Sequence, residues 1–405
     1  MDNWVVREAK YVARRRHKLG LDDLVGAPKF ALSSFVSNTA FGELERSEMI
    51  SEYPTWRYGS PGELDPSFLT ETQDARRGIS IEDVNGTIDL PQPFVSKIGE
   101  GESKPLFLGG PTPLSLTPDG RIIREIVKNN RSQINALLEP LLPFDWLPVY
   151  WKLRFGSLSL QGHLDADILP LFQRKYPNYY HWLMDELPKL RAIDHYPGEV
   201  TIGLEPDLPS YVTESLEYLG FTDYVHIDET PVTADSILAV SNRTPRFVNL
   251  SYVDDEYVSW LRERVLDRAR DPSRTERIYV SRENSAAREV VNRDALLAEL
   301  RKLGFESYAL EERSFKDNVE LFANAEIIVG PHGAGLTDIV FADDTAVVEL
   351  NTLSAPQPSF YLLAQQLGHE YRHVTCPPVD EAEYNVQRNM RADVGMVLDV
   401  VRTIL

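Results

Sequence analysis

The chain has 405 residues, 42% of them hydrophobic and 26% charged, a composition that fits a soluble globular protein long enough for two domains. Its formal charge is −20, from 62 Asp and Glu against 42 basic residues, of which only 11 are lysines. This balance excludes duplex nucleic acid as a partner, since its phosphates would meet like charge, and it suits a salt-rich cytoplasm where ions screen self-repulsion.

The single Cys376 rules out an intramolecular disulfide and fits a reducing compartment. No stretch approaches the roughly 18 apolar residues of a membrane-spanning helix, and the N-terminus lacks the apolar core of a secretion signal. A cytoplasmic location is therefore expected. Residues 1–75 are expected to form an irregular extension. Within it, residues 1–20 break the acidic rule: Arg7, Lys10, Arg14, Arg15, Arg16 and Lys18 face only Asp2 and Glu8. With Trp4, Val5, Tyr11 and Val12 interleaved, they would form an amphipathic helix, lying on an anionic membrane or docked on the chain's own acidic body.

From 76 to 270 the expectation is a first domain. It begins with β-hairpins punctuated by turns such as TPDG, then changes rhythm. NYYHWLMDELPKLRAI has helical spacing, EVTIGLE reads as a strand, SYVTESLEYLG as a helix with a glycine stop, and DSILAVS as a strand. SYVDDEYVSWLRERVLDRAR is a helix with acids in its first turn and arginines towards its end. From 271 to 405 strands and helices alternate: RIYVSR, NRDALLAELRKLG, FESYAL, SFKDNVELFANA, EIIVG, GLTDIVFA, AVVEL, SFYLLAQQLG, EYRHVT and a last helix near 388–404. Such alternation implies a parallel sheet. Two α/β units in one chain place a cleft between them.

The stretch IIVGPHGAGLTDIVF, residues 327–341, ends a buried strand in a glycine-rich turn before a short helix. Gly330, Gly333 and Gly335 admit backbone angles closed to other residues, or close approach of a ligand. The helix start that follows suits a phosphate. His332, between a proline and a glycine, has no evident packing purpose. In HWLMDELPKL, His181 and Asp185 lie one helical turn apart on a single face, while Trp182, Leu183, Leu187 and Leu190 form a core stripe. Spacing alone favours the structural reading, with His181 capping or packing. A single-displacement transfer would use one of the two polar residues as general base, Asp185 in preference, with His181 orienting it or meeting a departing phosphate. The DAD triplet, Asp165 and Asp167, is no more than chance supplies in so acidic a chain.

PHGAGLTDIVF, VVEL eight residues later, IYVSRENSAAREVVN before it and NYYHWLMDELPKL together resemble the family-61 glycosyltransferases over roughly residues 90–375. Two positions depart from the family's usual pattern: Asp338 stands where Asn is usual, and Arg293 where an acidic residue is common. The resemblance implies a GT-B-like α/β fold, two Rossmann-like domains facing a cleft, and transfer with inversion. The nucleotide-sugar donor would be held mainly by the C-terminal domain. A glycan or lipid-linked acceptor would sit on the other side. No metal or other cofactor is expected, so arginines and a helix start must stabilise the leaving diphosphate. Arg282 and Arg288 are candidates for this. Asn292 and the turn residues His332, Gly333, Ala334, Gly335, Leu336 and Thr337 would line the donor site. Glu349, at the end of VVEL, is read as accepting the ribose hydroxyls. Two alternatives remain: another sugar-modifying transferase, such as a pyruvyltransferase, or a binding protein without catalysis.

Overall fold

The computed structural model describes residues 43–64, 87–108, 114–123, 125–126, 160–172, 178–228, 231–241, 254–271, 273–285, 287–381 and 387–405. The basic stretch 1–20 lies outside them. Part of the stretch read as irregular is built into the fold. Glu43–Leu44 pairs with Ile122–Ile123, Arg46–Glu52 is helical, and Thr55–Arg57 adds a strand beside Phe94–Ile98. Strands of two or three residues are too short to show a period in sequence.

The first sheet is mixed and has ten strands. Its hairpin side contains β1 (Phe94–Ile98) and Leu106–Leu108 paired with Leu114–Leu116. Its parallel side runs through β2 (Gly162–Leu171), β3 (Thr201–Leu204) and β4 (Tyr224–His226). The strand β5 (Val232–Val240) joins the two, parallel to β2 and antiparallel to β1. Only four of the ten described strands of this sheet therefore form the continuous parallel run expected of a Rossmann-like unit. The 179–195 helical run connects β2 to β3, and α1 (Ser210–Leu219) connects β3 to β4. Gly220 ends α1 with φ +89°, the left-handed cap that the glycine stop implied.

After α2 (Asp255–Ala269), capped by the Asp254 carboxylate, comes the second sheet. Its strands are β6 (Glu276–Val280), β7 (Phe305–Tyr308), β8 (Ala325–Pro331), β9 (Ala346–Asn351) and β10 (Glu370–Thr375), all parallel. The intervening helices are α3 (Arg293–Leu300), α4 (Phe315–Ala323), α5 (Pro358–Leu367) and α6 (Val394–Ile404). The spatial order is β7-β6-β8-β9-β10. This is the doubly wound 2-1-3-4-5 order, whose direction of winding switches between β6 and β8. Ligands of such sheets bind beyond the carboxyl ends of those two strands. Residue 282 follows one of them and residue 332 the other.

One apolar cluster runs from Leu169 and Leu171 through Trp182, Leu183 and Val212 to Val280, Ile328 and Phe341. The 179–195 run is thus wedged between the two sheets. A second cluster, around Leu296, Val348 and Val401, covers the opposite face of the second sheet.

Candidate functional site

The helical run that carries His181 is not a regular α-helix. It starts as one turn at Tyr179–His181, capped by the Asn178 side chain, widens to a π-turn over Trp182–Glu186, and continues as a 3-10 helix over Leu187–His195. Pro188 gives the reason. Its ring would strike the carbonyl of Met184 in an α-helix, and it has no N–H for the turn before it. The Leu187 N–H reaches back to the Trp182 carbonyl, and the Leu183 carbonyl takes the hydroxyl of Tyr257 at 2.5 Å instead of a backbone donor. π-turns of this kind recur at functional sites.

The segment divides by face. Trp182, Leu183, Leu187 and Leu190 are fully buried, with the Trp182 indole N–H on Ser215 at 2.8 Å. His181 and Asp185 share the other side, Nδ1 to Oδ2 at 2.6 Å. The His181 side chain keeps 22% of its surface exposed and Asp185 only 5%. The carboxylate thus lies beneath the ring and fixes it. Glu186 is buried and paired with Lys189 at 2.5 Å.

The glycine turn differs from expectation in its backbone. None of Gly330, Gly333 and Gly335 lies in the left-handed region, and Gly333 is extended at φ 174°. They are glycines because of crowding. A Cβ on Gly330 would lie 2.9 Å from the Val280 Cβ, and one on Gly333 would lie 2.1 Å from a guanidinium nitrogen of Arg282. Arg282 therefore rests on the turn itself. Its side chain bonds Ser285 at 2.6 Å and the Ala287 carbonyl at 3.3 Å. Among the described residues no carboxylate comes within ion-pair distance of it. Burial lowers its pKa, with Glu311 opposing the shift. A partly buried cation without a bonded anion at a switch point is a place for an anionic ligand. Arg288, six residues on, holds a left-handed backbone at φ +65°, an unusual conformation for a side chain of this size.

His332 leaves the end of β8 with its N–H on the Leu350 carbonyl at 2.8 Å and its Nδ1 on Glu349 at 2.7 Å. Glu349 is fully buried. It also accepts from Asn351 at 3.1 Å and from the Tyr371 hydroxyl, and Asn351 in turn accepts from His373 at 3.0 Å. Burial alone would raise the Glu349 pKa, but His332, Tyr371 and Asn351 hold it below the ordinary value. These contacts occupy both carboxylate oxygens, so Glu349 orients His332 and is not placed to receive a ribose.

Three other donor-site expectations change. Asn292 uses both ends of its amide on the backbone of Ala392, at 2.9 Å each, and so clamps two chain segments together. Leu336 and Thr337 point inward and are fully buried, with the Thr337 hydroxyl on the Ala334 carbonyl. Ala334 and Gly335 remain partly exposed at the turn.

The two halves meet. His332 packs on Phe360 (ring centroids 5.1 Å), Phe360 on Tyr180 (5.7 Å), and Tyr180 on His181 (5.6 Å). Tyr179 also bonds Asp338 directly. The only group of three potential metal ligands among the described residues is elsewhere, at His163, Asp165 and Asp235. It is exposed, and the Lys104 ammonium already sits on Asp235. Asp167 of the DAD triplet is bound to Lys97, Ser236 and Tyr196. No described helix is long and apolar enough to cross a membrane.

The histidine–carboxylate pair and the glycine turn bearing Arg282 are joined through Tyr180 and Phe360, and groups of these kinds can serve proton transfer and the binding of an anionic ligand. Residues 179–348, which carry both halves of this site, match the family model described as Glycosyltransferase 61. The chain is also 41% identical over 63 residues to the beta-1,2-xylosyltransferase of Arabidopsis thaliana, a match that spans 15% of this chain and 12% of that protein.

Proposed function

We propose that this chain is an inverting glycosyltransferase that moves a sugar from a nucleotide-sugar donor to a glycan or lipid-linked acceptor, in a GT-B-like arrangement. Residues 271–405 would bind the donor and residues 76–270 the acceptor. The observation that carries this reading is Arg282, a cation with no ion pair among the described residues, lying on the glycine turn at the switch point of a doubly wound sheet. It would meet the diphosphate, with Arg288 nearby in sequence, and the partly exposed Ala334–Gly335 corner would let the phosphates approach the backbone.

His181 then takes the proton of the acceptor hydroxyl, while Asp185 fixes the ring through Nδ1 and stabilises the positive charge that develops. His332, held by Glu349, directs its other ring nitrogen to the departing phosphate. Neither step calls for a metal. The likeness of the 63-residue stretch to a xylosyltransferase makes a pentose donor the first to try.

Thermal-shift and calorimetric titration with a panel of nucleoside diphosphates and nucleotide sugars, in high KCl with EDTA, tests this. Binding should survive EDTA, and Arg282→Ala should weaken it by about 2–5 kcal/mol. His181→Ala and Asp185→Asn should bind like the parent and transfer sugar about 10²–10⁴ times more slowly. Strict dependence on a divalent ion, with normal binding by Arg282→Ala, overturns the proposal.

A further inference from the structure

Asp338 lies on the 334–341 helix and is fully buried. Its Oδ1 accepts from the hydroxyl of Tyr179, two residues before His181 and 159 residues away in sequence. Its Oδ2 has no hydrogen-bond partner among the described residues. This contact joins the start of the helical run bearing His181 to the element that follows the glycine turn.

The charged and titratable neighbours are otherwise engaged. On the 179–195 run, His181 and Asp185 bind each other. On α2, Tyr257 bonds the Leu183 carbonyl, and Arg262 spends its guanidinium on the carbonyls of Val340 and Ala342 and on Asp343. His369 gives Nε2–H to the Ile339 carbonyl at 3.1 Å. On α4, Lys316 faces Glu320 at 3.6 Å, and on α5 Tyr361 packs edge-on against Tyr371. Tyr211 of α1 meets Tyr179 edge-on, centroids 5.1 Å apart. Among the described residues only Tyr179 bonds Asp338.

We propose that Asp338 is a positioning residue: its protonated carboxyl and the Tyr179 hydroxyl form a tether that holds the His181–Asp185 pair against the glycine turn, and loss of the carboxyl proton loosens that tether. The contact itself stands on geometry; its consequence for catalysis rests on the role given to His181 above. A carboxyl sealed from water with one oxygen unpartnered is far cheaper to keep neutral than charged.

Burial pushes Asp338 up to about 7, although the Tyr179 bond pulls the other way. Once the contact opens to water, the group returns towards its ordinary 3.8. Between those values the closed form keeps a proton that the open form has lost. Closure is therefore strongest in acid, weakens by about tenfold per pH unit as pH rises through this interval, and levels off above about 7.

Hydrogen–deuterium exchange on the full chain from pH 5 to 8, corrected for intrinsic rates, tests the tether in wild type, Asp338→Asn and Tyr179→Phe. Relative to Asp338→Asn, wild-type protection of residues 179–187 should fall about tenfold per unit between pH 5 and 7 and then stay level. Tyr179→Phe should lose protection several-fold at pH 5, which keeps the test available should Asp338→Asn fail to fold. A wild-type to Asp338→Asn ratio that is flat across the range, or full protection in Tyr179→Phe at pH 5, overturns the proposal. Release of nucleoside diphosphate from a nucleotide sugar the chain turns over should follow the same step. A tether that titrates as described while turnover ignores it upholds the tether and removes His181 from the reaction.

Discussion

Glu349 shows how one residue's meaning depends on what surrounds it. A glutamate closing a strand of a doubly wound sheet is well placed for a ligand, yet here His332, Asn351 and Tyr371 surround its carboxylate and no water reaches it. Glu349→Gln would turn an amide donor towards three donors. We expect a loss of about 1–3 kcal/mol in denaturant unfolding, the usual cost of leaving a buried hydrogen-bonding group unsatisfied. The sign of its pH dependence follows from the lowered pKa. The folded state favours the ionised form, so this stabilisation is full above the ordinary value of 4.5 and fades as pH falls through the lower folded value. The gap between wild type and variant should therefore narrow on acidification below 4.5. A gap constant with pH would show that Glu349 contributes by shape alone.

At the scale of elements, two kinds of glycine separate cleanly. Gly368 ends α5 at φ +71° with nothing within 4 Å of an added Cβ. Gly368→Ala should cost about 1 kcal/mol of backbone strain and leave ligand binding alone. Gly333 is extended, so Gly333→Ala carries no such strain, but its methyl would displace the Arg282 guanidinium. Calorimetry should show Gly333→Ala weakening nucleoside diphosphate binding about as much as Arg282→Ala does. If Gly333→Ala binds like wild type, Arg282 is not the phosphate ligand. The helix stops at Gly220 and Gly368 were legible in sequence because capping is local. The π-turn before Pro188 was not. A proline in a helical pattern signals a break, but the way Leu187 and Tyr257 satisfy the freed carbonyls is settled by packing.

At the scale of the whole molecule, a charge of −20 makes the compact state repel itself in dilute buffer. Ion pairs such as Arg121–Glu52 and Arg270–Asp343 relieve this locally, and most are exposed enough to contribute little. Screening should do more. The melting temperature is expected to rise steadily as KCl goes from dilute buffer to molar concentration, and a melting temperature independent of KCl would remove the salt-adaptation reading.

The sequence by itself determined the second half almost entirely. Alternating apolar runs and amphipathic segments specify a parallel sheet, because strand and helix periods act over a few residues, although the last helix begins at Val394 and not near 388. It also placed His181 and Asp185 on one face, since residues four apart come together in an α-turn and in the slightly wider π-turn alike. Only the tertiary structure decided which of the pair is exposed, that Asn292 clamps Ala392 a hundred residues away, and that Asp338 reaches back to Tyr179. Those outcomes depend on which groups are sealed from water together. Burial sets the cost of a charge or an unpartnered oxygen, and burial is a property of the packed chain that no local stretch of sequence contains.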